Sequence, residues 1–206
     1  MKGMTITYEV GNSLYLNITN RCSNRCDFCI RQNGDGAYGS NSLWLEREPT
    51  EEEILAAVDA HDVKKYDEVI FCGYGEPTER LDTLVHVAKA LKAKYGCKIR
   101  VNTNGQSDLI HGRDTSSLFA GAVDTLSISL NAPNATEYQR VCHSRFGEDA
   151  YGAILDFASH VKHYIPHVVL SVVDAALTPD EIRQCETIAE QAGVPLRVRQ
   201  YIGKDA

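Results

Sequence analysis

Short β-branched runs alternate with longer stretches of helical periodicity along the chain, a pattern typical of βαβ units and a parallel sheet. Thr50 with Glu53 forms a capping box, and Thr178 before Pro179 marks another helix start. An eight-unit barrel typically takes about 250 residues, so this chain of 206 residues predicts an incomplete (βα)6 TIM-like barrel with parallel strands. The six predicted strands are 14–18, 68–73, 98–103, 124–130, 167–173 and 195–200.

Four of these strands alternate polar and apolar residues, although strands covered on both faces usually read as continuous apolar runs. Their apolar residues should face the helices and their polar residues the lumen. Polar groups without partners are too costly for a dry core, so we expect the lumen to hold a polar ligand or water, the alternative being an open sheet with a solvated face. The polar set is Tyr15, Asn17 and Thr19; Arg100, Asn102 and Asn104; Ser127, Ser129 and Asn131; and Arg197 with Arg199.

The amino-acid composition limits the classes of protein to which the chain can belong. The chain is 43% hydrophobic, enough for one core but not for two ordinary domains, so we expect a single domain over residues 1–206. The start MKGMTITYEV lacks a signal-peptide pattern, no apolar run is long enough to span a membrane, and seven cysteines are a poor disulfide framework. We therefore expect a cytoplasmic chain with reduced thiols and no membrane contact. The net charge of -7 makes nucleic acid an unlikely partner.

Three cysteines, Cys22, Cys26 and Cys29, follow the first predicted strand with C-x3-C-x2-C spacing. Sheets and barrels of the α/β class place their sites at this end of the strands. Structural zinc takes four protein ligands, often from two Cys-x2-Cys pairs, and no second pair follows. A four-iron cluster normally takes four cysteines, so three leave one iron open to an outside ligand. The spacing favours an iron–sulfur cluster, and a zinc-bound structural or partner-binding protein is the alternative.

A second motif, FCGYGEPT at residues 71–78, ends the second predicted strand. Gly73 and Gly75 would permit close backbone approach to a ligand, and Glu76 would set a carboxylate beside it. An ordinary Gly-Pro turn is the alternative interpretation.

With this cysteine spacing, and with Phe28 before the last cysteine, the chain resembles the radical SAM superfamily. The resemblance implies one 4Fe-4S cluster on Cys22, Cys26 and Cys29, whose fourth iron binds the amino and carboxylate groups of S-adenosylmethionine (SAM). It implies reductive cleavage of SAM to a 5′-deoxyadenosyl radical that abstracts hydrogen from a substrate, with oxygen sensitivity and an electron donor such as flavodoxin or ferredoxin. The strings CSNRCDFCIR, WLEREPT, GYGEPT and CHSRFGEDAYGAILDF are most similar to the TatD-linked radical SAM subgroup.

The resemblance also implies SAM contacts at the strand ends. GYGE is similar to the glycine-rich GGE motif that meets the methionine ammonium, with Tyr74 replacing the second glycine. VNTNG and SISLNAP fall where family members contact the methionine carboxylate and the ribose, although each also reads as a turn. The implied cofactor-binding residues are Phe28, Gly73, Tyr74, Gly75, Glu76, Asn102, Asn104, Ser127, Ser129 and Asn131.

The remaining candidates concern a substrate that the sequence does not identify. Cys142 would serve as a hydrogen-atom donor if its thiol lies near the lumen, with packing as the alternative. Residues 31–48 are too long for a plain turn and predict either a lid that offers Trp44 to the substrate or a disordered or merely packed insertion. Arg197 and Arg199 would repel each other inside a barrel unless anions meet them. We therefore expect a substrate with a carboxylate or phosphate group, either a small molecule or part of a peptide.

Overall fold

The computed structural model describes residues 3–200 as a seven-stranded sheet with helices packed against it. No helix in this range is long and apolar enough to cross a membrane. The strands are β1 (Thr7–Val10), β2 (Ser13–Leu16), β3 (Glu68–Phe71), β4 (Ile99–Thr103), β5 (Thr125–Ser129), β6 (His167–Val173) and β7 (Leu196–Arg199). The α-helices are α1 (Glu51–Asp59), α2 (Leu81–Tyr95), α3 (Ser107–His111), α4 (Ala135–Cys142), α5 (Asp149–Val161) and α6 (Pro179–Ala192). Short 3₁₀ helices lie at Ile30–Gln32, Val63–Lys65, Pro77–Arg80, Ser116–Phe119 and Asp174–Ala176.

The sheet runs in chain order from β1 to β7, and β2 to β7 are parallel. These are the six predicted strands, so the incomplete barrel is confirmed. β1 was not predicted: it pairs antiparallel with β2, with Tyr8 opposite Tyr15. The turn between them contains Gly11 at φ 55°, a left-handed conformation that glycine adopts without strain. Because β1 and β7 are the two edges, the barrel is open between them.

The predicted helix starts are present. Thr50 and Glu53 form a reciprocal capping box at α1, with the Glu53 carboxylate accepting from the Thr50 backbone N–H at 2.9 Å. Thr178 and Glu181 form the same arrangement at α6. Each box satisfies backbone donors that the first helical turn leaves unpaired.

The two faces of the sheet differ as the alternation predicts. Toward the helices, fully buried apolar residues of successive strands form one core. Toward the lumen, the strands present mostly polar residues, with Ile70 as a buried apolar exception. The core residues of the strands include Leu14, Leu16, Val69, Phe71, Ile99, Val101, Leu126, Ile128, Leu170 and Val172.

The 31–48 segment packs over the β1 side of the lumen. Ala37 and Leu43 are buried in a second apolar cluster with Tyr8 and Tyr74. The Tyr74 hydroxyl donates to the Gly34 carbonyl at 2.8 Å. The segment is therefore packed in this structure, and its role as a lid stays a prediction.

Candidate functional site

The three clustered cysteines lie on one loop directly after β2. All three are free thiols and half-buried. The loop therefore presents its sulfur atoms at the carboxyl edge of the parallel strands, where sites in this architecture occur.

Long-range hydrogen bonds fix this loop. Backbone bonds of 3.0 Å run from Arg25 N to the Cys142 carbonyl and from Asp27 N to the Val141 carbonyl, on either side of Cys26. The loop is thus held by the C-terminal end of α4.

A buried network of side-chain hydrogen bonds also supports the cysteine loop. The Asn24 amide donates to the Tyr138 hydroxyl at 2.8 Å, and the Gln106 amide donates to the Asn24 side-chain oxygen at 2.8 Å. The Ser144 hydroxyl closes the network on Gln106 at 3.1 Å. Sequence reasoning missed these four residues, whose role depends on contacts between distant parts of the chain.

Burial and neighbouring groups perturb the thiols. Burial raises the pKa of Cys22 to about 12. A hydrogen bond with the Cys142 thiol, together with burial, raises the pKa of Cys26. Although burial opposes the charge of Arg31, the adjacent thiols of the loop, Cys29 foremost, raise the pKa of its guanidinium. The positive charge of Arg31 would therefore balance part of the negative charge of thiolates that bind a metal.

The spacing of the sulfur atoms separates two kinds of metal site. Within residues 3–200, the candidate ligands whose donor atoms all lie within 4.8 Å of one another are Asp108, Asp114 and His160, and the loop cysteines form no such group. Tetrahedral zinc with bonds of about 2.3 Å holds its sulfurs about 3.8 Å apart. The loop cysteines do not meet this spacing in the structure, and a polynuclear cluster, in which each sulfur binds a different iron, does not require it.

Glu76 is buried shortly after β3, and both oxygens of its carboxylate accept hydrogen bonds within the protein. One oxygen accepts from the Thr78 N–H, the Thr78 hydroxyl and the Thr103 hydroxyl, at 3.0, 2.8 and 2.6 Å. The other accepts from Asn104 N at 2.7 Å. Burial raises the pKa of Glu76, although these hydrogen bonds lower it. The carboxylate thus ties the end of β3 to the end of β4.

The glycines beside Glu76 are required by contacts within the chain. A Cβ on Gly73 would lie 2.2 Å from the Asn17 side-chain oxygen, and one on Gly75 would lie 2.2 Å from the Thr19 carbonyl. The close backbone approach that the motif predicts is thus made to the chain following β2. Tyr74 is buried between these glycines, with its ring 5.0 Å from that of Trp44.

The other predicted SAM contacts divide into two groups. The Asn104 amide donates to the Ser23 hydroxyl at 2.7 Å and so supports the cysteine loop. In contrast, Asn102 and Asn131 each carry a buried side-chain oxygen without a hydrogen-bond partner in the described part of the chain. Asn131 also has a φ of 58°, which is uncommon for a residue other than glycine. Such unsatisfied oxygens suit the N–H and O–H groups of a polar ligand.

The remaining predicted residues occupy distinct environments. Ser127 is buried and Ser129 half-buried on β5, and Phe28 packs against the main core. Cys142 is completely buried at the end of α4, where its thiol contacts Cys26 and accepts a hydrogen bond from the Asn131 side-chain amide at 3.8 Å, and its role as a hydrogen-atom donor stays a prediction.

The two arginines of β7 also differ from each other. Arg197 is exposed, and Arg199 is half-buried. Trp44 lies in the 31–48 segment with the Arg31 guanidinium 5.9 Å from its ring centroid.

This arrangement fits an iron–sulfur cluster and a polar cofactor. The donor set is three thiols whose loop is rigidly held, and the unsatisfied oxygens of Asn102 and Asn131 lie on neighbouring strand ends. The protein is a partial barrel of parallel strands, and a cysteine loop that suits a cluster follows its first parallel strand. This architecture is typical of a class of cofactor-dependent enzymes. The model of the radical SAM superfamily matches residues 16–193, and the chain belongs to that superfamily. Enzymes of this family use a 4Fe-4S cluster and SAM.

Curated relatives are similar over most of the chain. A probable dual-specificity RNA methyltransferase RlmN of Caldanaerobacter subterraneus subsp. tengcongensis is 27% identical over 139 residues, which are 65% of this chain and 37% of the relative. A GTP 3',8-cyclase of Staphylococcus aureus is 25% identical over 173 residues, 82% of this chain and 48% of the relative. The chain thus spans less than half the length of these relatives.

The fold is also that of solved radical SAM proteins. Streptococcus suis SuiB bound to precursor peptide SuiA superposes with a TM-score of 0.66 at 14% identity, covering 95% of this chain and 40% of that one. At this identity the likeness supports the fold and leaves the substrate open.

Proposed function

We propose that the chain is a radical SAM catalytic core whose cluster is held by Cys22, Cys26 and Cys29. The three free thiols on one anchored loop carry this proposal. When bound, the cluster and SAM supply a 5′-deoxyadenosyl radical that abstracts hydrogen from a substrate. The protein itself would position the thiols for the cluster, orient SAM and exclude water.

The strand ends would bind SAM in two ways. Asn102, Ser127, Ser129 and Asn131 would contact it directly, since two of them offer unsatisfied oxygens. Glu76 would act as a positioning residue, because its carboxylate already holds Asn104 and Thr78. The methionine ammonium would then meet backbone carbonyls of the GYGE segment.

The substrate is proposed to carry an anionic group, because the lumen contains cationic side chains in a chain of net charge -7. Names of relatives include an RNA methyltransferase and a GTP cyclase, and a structural neighbour holds a peptide. They do not support the prediction against nucleic acid, so RNA belongs among the substrates tested. Radical SAM enzymes need a reductant, and we propose flavodoxin or ferredoxin. Placement in the TatD-linked subgroup is proposed from the longer sequence strings alone.

Anaerobic reconstitution with iron and sulfide tests the ligand set. Cys26→Ala should lose the visible absorption and bound iron, whereas Cys142→Ala and Cys72→Ala should keep them. Reduced wild-type protein should form 5′-deoxyadenosine from SAM. A colourless wild-type preparation that binds zinc instead, or equal iron loss in Cys142→Ala, would contradict the proposal.

A further inference from the structure

Arg199 is a half-buried cation without a partner among residues 3–200. It lies on the edge strand β7, and its Nε is fully buried without a hydrogen bond in this range. No ion pair or hydrogen bond to its guanidinium occurs within residues 3–200, and burial lowers its pKa. A guanidinium in such a place normally has a carboxylate or phosphate partner, because desolvating an unpaired charge is costly.

The groups around Arg199 do not supply that anion. Those acting on its pKa are the Cys72 thiol, the Tyr38 phenol and two further cations, Arg197 and Arg100. Two acids act on members of this set: Glu68 is paired with Arg100 at 3.0 Å, and Glu76, which affects the pKa of Cys72, already accepts hydrogen bonds from Thr78, Thr103 and Asn104. The surroundings are therefore positive overall.

Two lumen-facing residues of β4 also carry buried polar atoms that lack a hydrogen-bond partner. Within residues 3–200, Arg100 Nε is a buried donor without a partner, and the Asn102 side-chain oxygen is a buried acceptor without one. With Arg199 Nε, strands β4 and β7 thus carry two such donors and one such acceptor, and the Asn131 oxygen after β5 is a second acceptor. The two guanidinium donors suit an anionic group, and the acceptors suit the N–H or O–H groups of a polar ligand.

The position is suitable for a substrate. Cys72 directly precedes the GYGE segment, so the Arg199 environment adjoins the proposed SAM site. Tyr38 comes from the packed 31–48 segment and adopts a left-handed φ of 53°. Its phenol and the Arg199 guanidinium act on each other's pKa, which makes Tyr38 a neighbour of the site.

We propose that Arg199, with Tyr38 as a neighbouring donor, binds a carboxylate or phosphate group of the substrate. Arg100 Nε would donate to the same anionic group, and this places the substrate between β4 and β7, with the Asn102 oxygen left to SAM. The identification of the bound anion as substrate rests on the proposed radical SAM function. The presence of an anion site does not.

Thermal unfolding of the full chain with simple anions tests the site. Inorganic phosphate and acetate are titrated at constant ionic strength against chloride. Wild type should show a saturable rise in melting temperature with at least one anion, and the anion effective at the lower concentration identifies the group. The response should disappear in Arg199→Gln, partly return in Arg199→Lys and persist in Arg197→Gln, the exposed neighbour on the same strand.

Three outcomes would overturn the inference. One is a response to phosphate and acetate no larger than that to chloride, and another is an undiminished response in Arg199→Gln. The third is loss of the response on adding SAM to the cluster-loaded protein, because the cofactor carboxylate would then occupy the site. 5′-Deoxyadenosine formation without substrate reports on the radical SAM function separately, so failure of the anion site and failure of that function are distinguishable.

Discussion

Replacing Glu76 by Gln tests whether this residue is a structural tie between two strand ends. The change keeps the size of the side chain and removes its charge. The amide oxygen can take over the bonds from Thr78 and Thr103, but the amide N–H₂ would then face the Asn104 N–H, now 2.7 Å from a carboxylate oxygen. Two donors would meet in a buried place.

The magnitude follows from that conflict. Removing the buried charge of Glu76 is favourable, and it offsets the weakening of the hydrogen bonds from Thr78 and Thr103. The remaining loss of stability is that of one unsatisfied buried donor, about 1–3 kcal/mol. For a chain of this size, that loss corresponds to a fall in melting temperature of roughly 2–12 °C. SAM affinity should also fall, because Asn104 and the GYGE segment would lose their common support.

Urea denaturation of the metal-free protein gives the stability change, and Glu79→Gln is the matched control. Glu79 is a nearly buried carboxylate three residues away, but its contacts to Arg145 and Arg21 are 3.3 and 3.8 Å and those arginines are half exposed. Its replacement should cost less than about 1 kcal/mol. If Glu76→Gln is no less stable than Glu79→Gln, and binds SAM normally when loaded with cluster, then Glu76 does not stabilise the contact between the ends of β3 and β4.

Two further perturbations test the loop and the glycine motif. Arg31→Gln should make the cluster midpoint potential more negative, on the order of tens of millivolts, because a positive charge beside the thiols is lost; redox titration followed by EPR measures it. The exposed Arg25→Gln is the control, and an equal shift in both would refute a specific role. Gly75→Ala should destabilise by roughly 2 kcal/mol or more, since its Cβ would lie 2.2 Å from a backbone carbonyl. Gly152→Ala, in α5 with open space around it, should instead stabilise by about 0.5–1 kcal/mol, and similar urea midpoints for the two would contradict the packing argument.

The sequence predicts those features whose physical cause is local. Alternation along β4 places Val101 in the core and Asn102 in the lumen because successive side chains point to opposite faces. The capping box at Thr50 marks the start of α1 for a similarly local reason. β1 escapes prediction because it is short and its hairpin partner, β2, already reads as the first strand of the barrel.

The support of the cysteine loop has no local cause. Asn24 and Tyr138 are 114 residues apart, and Gln106 and Asn24 are 82 apart. Each residue alone reads as an ordinary polar or aromatic side chain, and only the fold brings them together. The same holds for Glu76, whose motif predicts a ligand contact but whose carboxylate is satisfied by residues of the next strand.

Alternation also predicts which way the arginines of β7 face but not how deeply they are buried. β7 is an edge strand, so no further strand covers its outer side, and Arg197 is exposed there. Arg199 is half-buried on the same strand, and its electrostatic environment includes the Tyr38 phenol of the 31–48 segment. The polar groups that support the cysteine loop satisfy one another, whereas lumen-facing residues of β4 and β7 keep donors and an acceptor without partners in residues 3–200. Since buried polar groups left unpaired by the protein are costly, this part of the lumen is where a polar molecule gains most by binding.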